Sequence, residues 1–120
     1  MYQRHLTGKI GENVATQYLM QKNYQIVERN FYCRQGEIDI ITKDKNELVF
    51  IEVKTRTNKV YGRPVDAITA YKKKCIMKSI EYYLFKYKLE DIPIRIDVIE
   101  VYEKTENKYY VNHIKNAIER

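Results

Sequence analysis

Asp39, Glu52 and Lys54 are the residues whose types and spacing suit metal-assisted chemistry on a phosphodiester. Twelve residues separate Asp39 from Glu52, and each acid interrupts an apolar run: Gly36-Glu37-Ile38-Asp39-Ile40-Ile41 and Val49-Phe50-Ile51-Glu52-Val53-Lys54. An ionised carboxylate is costly in an apolar layer unless something pairs with it. A divalent cation is one such partner. Magnesium takes oxygen ligands and keeps several waters, so two carboxylates suffice when a phosphate supplies further oxygens. It would polarise the phosphate and lower the pKa of a bound water. Lys54 would then hold that water or meet negative charge developing on the phosphoryl oxygens. The Val53 carbonyl is a further candidate ligand.

A bland reading stands beside this one. Glu-x-Lys on a strand edge is commonly a solvated face with a weak surface pair. The acid on the preceding apolar segment, Asp39, moves the balance toward a site. Lys72 keeps two readings. It interrupts a helical stripe of Ile68, Lys72, Ile76, Ser79, Tyr83 and Tyr87, either laying its stem along the core or facing the acids. Arg56, Lys59 and Arg63 extend positive charge beyond Lys54, and Lys73, Lys74 and Lys78 suit solvated positions or phosphate contacts. His5 and His113 have no ligand-spaced partners, and Thr55 and Ser79 have no evident base. Arg95 and Asp97, two apart, read as a structural pair.

The elements that must position these groups follow from capping and periodicity. Thr7 caps a helix over about 8–22, with Ile10, Gly11, Val14, Ala15, Tyr18 and Leu19 on one side and Glu12 at its border. Strands are expected over about 24–32, 37–42 and 47–55, with 43–46 as the hairpin turn between the last two. Alternation puts Glu37, Asp39 and Ile41 on one face, and Leu48, Phe50, Glu52 and Lys54 on one face. A loop from Asn58 to Pro64 precedes a long helix from about Val65 to Tyr87, with Asp66 in its first turn. Strands over 94–102 and 109–114 flank a turn at 103–108. The order is α-β-β-β-α-β-β, an α/β sheet flanked by helices.

At 120 residues the chain reads as one domain, 1–120, able to bury a core unaided. Hydrophobic residues make up 44% and charged residues 32%, which excludes a disordered class. No apolar run reaches the roughly 20 residues of a membrane span. The first residues lead into no signal core, so a cytoplasmic location is expected. Cys33 and Cys75 form no CxxC and read as free thiols, with too few soft ligands for structural zinc. The net charge of +6 suits a polyanionic partner. Most of the 12 tyrosines are expected at the core edge rather than on bases.

Gly11-Glu12, Ala15, Tyr18-Leu19, Gly36-Glu37-Ile38-Asp39-Ile40-Ile41, Phe50-Ile51-Glu52-Val53-Lys54-Thr55-Arg56, Gly62, Lys72 and Arg95-Ile96-Asp97-Val98 together resemble the YraN-like family of small bacterial proteins. That family is similar to the PD-(D/E)xK nuclease superfamily, with archaeal Holliday junction resolvases among its nearer relatives. The resemblance implies a restriction-endonuclease-like fold with a central mixed sheet. It implies Asp39 and Glu52 as metal-binding carboxylates, Lys54 as the catalytic lysine and Glu12 as an added first-helix ligand. Glu37 belongs to the family's Gly-Glu-Ile-Asp motif and Lys72 is a further auxiliary candidate. Ile38 stands where the superfamily's name-giving motif has proline. The implied activity is magnesium- or manganese-dependent endonucleolytic hydrolysis of DNA, branched or structured, with Arg56, Lys59, Arg63 and Lys73 on the phosphates and a homodimer by analogy. The rival is a non-catalytic module on the same fold that binds nucleic acid or a protein.

Overall fold

Alternating apolar residues in five segments, and helical spacing in two, assemble a mixed sheet with one helix on each face. The structure is a computed structural model and describes residues 7–56 and 68–120. Helix α1 (Gly8–Gln21) starts at Thr7, whose hydroxyl accepts the Ile10 amide at 3.2 Å. Strands β1 (Gln25–Cys33), β2 (Gly36–Asp44) and β3 (Glu47–Arg56) follow as an antiparallel meander. Helix α2 (Ala70–Lys86) crosses back, so that β4 (Ile94–Thr105) lies parallel to β3. β5 (Lys108–Ile114) closes the sheet antiparallel to β4, in the spatial order β1-β2-β3-β4-β5. The expected α-β-β-β-α-β-β order and a central mixed sheet flanked by helices are therefore present.

Several boundaries differ from the sequence reading. The β2–β3 turn is only Lys45 and Asn46, because Asp44 still pairs with Glu47 and Lys45 takes a left-handed φ of 57°. β4 runs on to Thr105, and the β4–β5 turn shrinks to Glu106 and Asn107. The long helix begins at Ala70, where the Thr69 hydroxyl caps it by accepting the Lys72 amide at 3.1 Å, and the expected start at Val65 lies outside the described residues. Ile68 is buried in the core but precedes that helix. Lys59, Gly62, Arg63, Pro64 and Asp66 lie outside the described residues.

The core is split by the sheet. On one side Ala15 and Leu19 of α1 pack on Ile40, Val49, Ile51, Ile99 and Val101. On the other, Ile76, Ile80, Tyr83 and Leu84 of α2 pack on Ile41, Leu48, Phe50, Ile96 and Val98. Each fully buried Leu or Ile contributes roughly 1.5–3 kcal/mol over an exposed one. The tail closes this second layer: Ile118 is buried, and the Ala117 amide donates to the Ile96 carbonyl at 2.8 Å.

α1 lies close to the end of β3 because Gly11 has no side chain. A Cβ there would collide with Cγ2 of Thr55, the residue after Lys54. Gly11→Val is expected to lift α1 off the sheet and lower stability by about 1–3 kcal/mol, measured by urea unfolding. An unchanged midpoint would mean that the helix has room to spare.

Candidate active site

β2 and β3 part company at the acids. Their ladder ends at Ile40–Ile51, and beyond it the Asp39 carboxylate takes over, with Oδ2 accepting the Val53 amide at 2.8 Å. A side chain thus replaces a backbone acceptor where the strands diverge. The expected face pattern also breaks here. Ile38 and Ile41 both pack in the α2-side core, a three-residue interval that simple alternation forbids, so Glu37, Asp39 and Ile41 do not share one face. The local twist has a counterpart on β1, where Asn30, flanked by the paired Arg29–Ile40 and Phe31–Ile38, holds a left-handed φ of 55°.

This departure carries Asp39 against Glu52. Burial first, and then the charge of Glu52, push the Asp39 carboxyl up to about 8, although the Val53 amide pulls the other way and Glu37 adds a smaller upward push. Glu52 is only 7% exposed. Its Oε2 lies 3.7 Å from Lys54 Nζ and 3.7 Å from Lys72 Nζ. Lys54 follows Glu52 on the same face of β3, and Lys72 comes from the first turn of α2. Of the two readings open for Lys72, the structure shows the one that faces the acids. Two carboxylates and two ammonium groups therefore meet at one end of the sheet.

Glu12 stands apart from this meeting. It is buried, and its Oε1 accepts from Arg29 Nη2 at 2.8 Å, Arg29 Nε at 3.2 Å and Asn30 Nδ2 at 2.8 Å. Among the described residues no group of three or more His, Cys, Asp or Glu is assembled to hold a metal ion. Glu37 is half-buried and pairs across the hairpin with Tyr32. Arg56 Nε donates to Glu100 Oε2 at 3.0 Å, so part of its guanidinium is committed to a buried acid, while Lys73 is half-buried on α2. Arg29, Asn30 and Glu100 carry no sequence signal, because their partners come from other elements.

Donor chemistry at the Asp39–Glu52 pair fits a hard divalent cation. Asp39 Oδ1, the Glu52 carboxylate and the Val53 carbonyl are all oxygens, and burial together with the neighbouring Glu52 charge is what raises the Asp39 pKa.

A second polar cluster has a structural role. Asp97 is fully buried and accepts from Arg95 Nε at 2.9 Å, Arg95 Nη2 at 3.1 Å and the Asn116 amide at 2.8 Å, and its Oδ2 lies 2.7 Å from His113 Nε2. His113 Nδ1 in turn lies 3.0 Å from the Tyr18 hydroxyl, and Arg95 also reaches Tyr24, Asp44 and Glu47. The Arg95–Asp97 pair was legible in the sequence, but the part played by His113 was not. Both cysteines are free thiols. No described helix is long and apolar enough to cross a membrane.

The profile of the Uncharacterised protein family UPF0102 matches residues 11–101. A UPF0102 protein of Clostridium botulinum (strain Loch Maree / Type A3) is 48% identical over 114 residues, covering 93% of each chain. One from Caldanaerobacter subterraneus subsp. tengcongensis is 44% identical over 112 residues, covering 92% of each. Among solved structures, that of an EndoMS–dsDNA2 complex aligns with a TM-score of 0.46 and 14% identity, over 79% of this chain and 36% of that one.

Proposed function

This chain belongs to the UPF0102 family, and from the charged groups at the divergence of β2 and β3 we propose that it is a cytoplasmic, magnesium- or manganese-dependent endonuclease acting on DNA. One observation carries the reading: Asp39 and Glu52 crowd together within a sheet, with Lys54 and Lys72 both 3.7 Å from Glu52. Asp39 and Glu52 would hold the cation, which when bound would polarise the scissile phosphate and acidify a coordinated water. Asp39 must shed its proton to serve. Lys54 would orient the attacking water and meet the charge that develops on the phosphoryl oxygens. Lys72 would hold a non-bridging oxygen, releasing its contact with Glu52 as the phosphate arrives. Arg56, Lys59, Arg63 and Lys73 would draw in the flanking backbone, which makes binding fall steeply with salt. Glu12 would join as a ligand only through Oε2, since Oε1 already accepts from three donors.

The test is incubation with linear and branched DNA in magnesium or manganese. The wild type is expected to cleave, and Lys54→Met to lose about 10²–10⁴-fold in rate while still binding DNA. Equal cleavage by both proteins would remove Lys54 from the mechanism. A second reading is favoured by the missing third acid among the described residues: a nucleic-acid-binding module that does not cut. Salt-sensitive DNA binding that is indifferent to manganese, with no cleavage by the wild type, would select it.

A further inference from the structure

One ring beside the acids is left exposed. Tyr32 pairs directly with Glu37 across the β1–β2 hairpin, two residues along each strand from Asn30 and Asp39. It is 71% exposed. A hydrogen bond to Glu37, then the charge of Glu37 and more weakly those of Glu12 and Asp39, hold its hydroxyl proton on, which places the phenol within the electrostatic reach of the candidate site. A core-edge tyrosine buries its ring and leaves its hydroxyl wet. Tyr32 does the opposite: its hydroxyl faces an acid and its ring faces water.

A flat apolar face next to a phosphodiester site meets what is attached to the phosphate, the sugar and the base. In a continuous duplex each base face is covered by its neighbours. A protein ring can stack only where a base is unpaired, terminal or splayed. We propose that Tyr32 is a base-stacking residue, and that the substrate class is nucleic acid with an unpaired base beside the scissile phosphate: a single strand, a flap or a fork. The assignment rests on the nuclease-site reading and narrows its substrate. The positive charge of Lys54 and Lys72 favours a polyanion over an apolar protein surface.

The experiment compares binding, not cleavage. Fluorescence anisotropy is read for a labelled DNA single strand, a forked duplex and a blunt duplex, with calcium replacing magnesium. Wild type is expected to prefer the strand and the fork over the blunt duplex. Tyr32→Ala should weaken strand and fork binding by about 5- to 100-fold and leave the blunt duplex unchanged. Tyr32→Phe should keep wild-type affinity. Phe85→Ala, which removes another exposed ring in the last turn of α2, should change nothing. Equal affinity of wild type for strand and blunt duplex, or an unaffected Tyr32→Ala, overturns the proposal. Because these are equilibrium affinities, absence of cleavage by wild type in magnesium would sink the nuclease reading without moving this result.

Discussion

Asp39→Asn is expected to make the metal-free protein more stable while removing its cation binding and cleavage. Asp39 has a carboxyl pKa of about 8 in the folded chain against an ordinary value of 3.8. Between those values the folded state holds a proton that the unfolded state has lost, so the penalty from Asp39 is absent below about pH 4, grows as pH rises and levels off above about 8. At the plateau the penalty is on the order of 6 kcal/mol at most, from roughly 1.4 kcal/mol per pKa unit. Asparagine never ionises, and its carbonyl oxygen can still accept the Val53 amide. The melting temperatures of the two proteins should therefore coincide near pH 4, and the variant's lead should widen up to about pH 8. Manganese should reverse the order at pH 8 by stabilising only the wild type. Cleavage by the variant should drop by about 10³-fold or more. A variant that is less stable than wild type at pH 9 without metal would show that the two carboxylates do not strain the fold.

Asp97→Ala should have the largest effect on folding itself. It strips the acceptor from Arg95, His113 and the Asn116 amide together, and leaves Arg95, whose side chain is 12% exposed, without its buried partner. Breaking a buried ion pair from one side typically costs about 3–5 kcal/mol. Urea unfolding measures this directly, and a loss below about 1 kcal/mol would mean that Asp44 and Glu47 carry Arg95 unaided. Burial presses the Asp97 carboxyl upward, yet bonds from His113, Arg95 and Asn116 outweigh it and hold the group below its ordinary value. A depressed acid contributes stability above its unfolded pKa and loses it as pH falls through the folded one. The acid arm of the wild-type profile, below about pH 4, should therefore be shallower in Asp97→Asn.

Local chemistry made much of this molecule readable. Thr7, the apolar face of α1 and the short polar link between β2 and β3 each announce themselves within a few residues. Asp39 and Glu52 stand out because acids in apolar strands call for a partner. The alternation rule failed at Ile38 because a carboxylate ends the ladder there, an event no periodicity encodes. The hold of Arg29 and Asn30 on Glu12 spans 17 and 18 residues, and that of His113 on Tyr18 spans 95. Such pairs depend on which strands become neighbours. Lys72 lay between these cases: its place on the stripe was legible, but the residue it faces was fixed by the β3–α2–β4 crossover.

The Val53 amide, bonded to a titrating carboxylate instead of a neighbouring strand, acquires a use of its own. Its proton resonance is a built-in gauge of Asp39, moving when that acid ionises or is taken up by a cation. Occupancy of the centre can then be followed at a single nucleus, with no dye, substrate or turnover required.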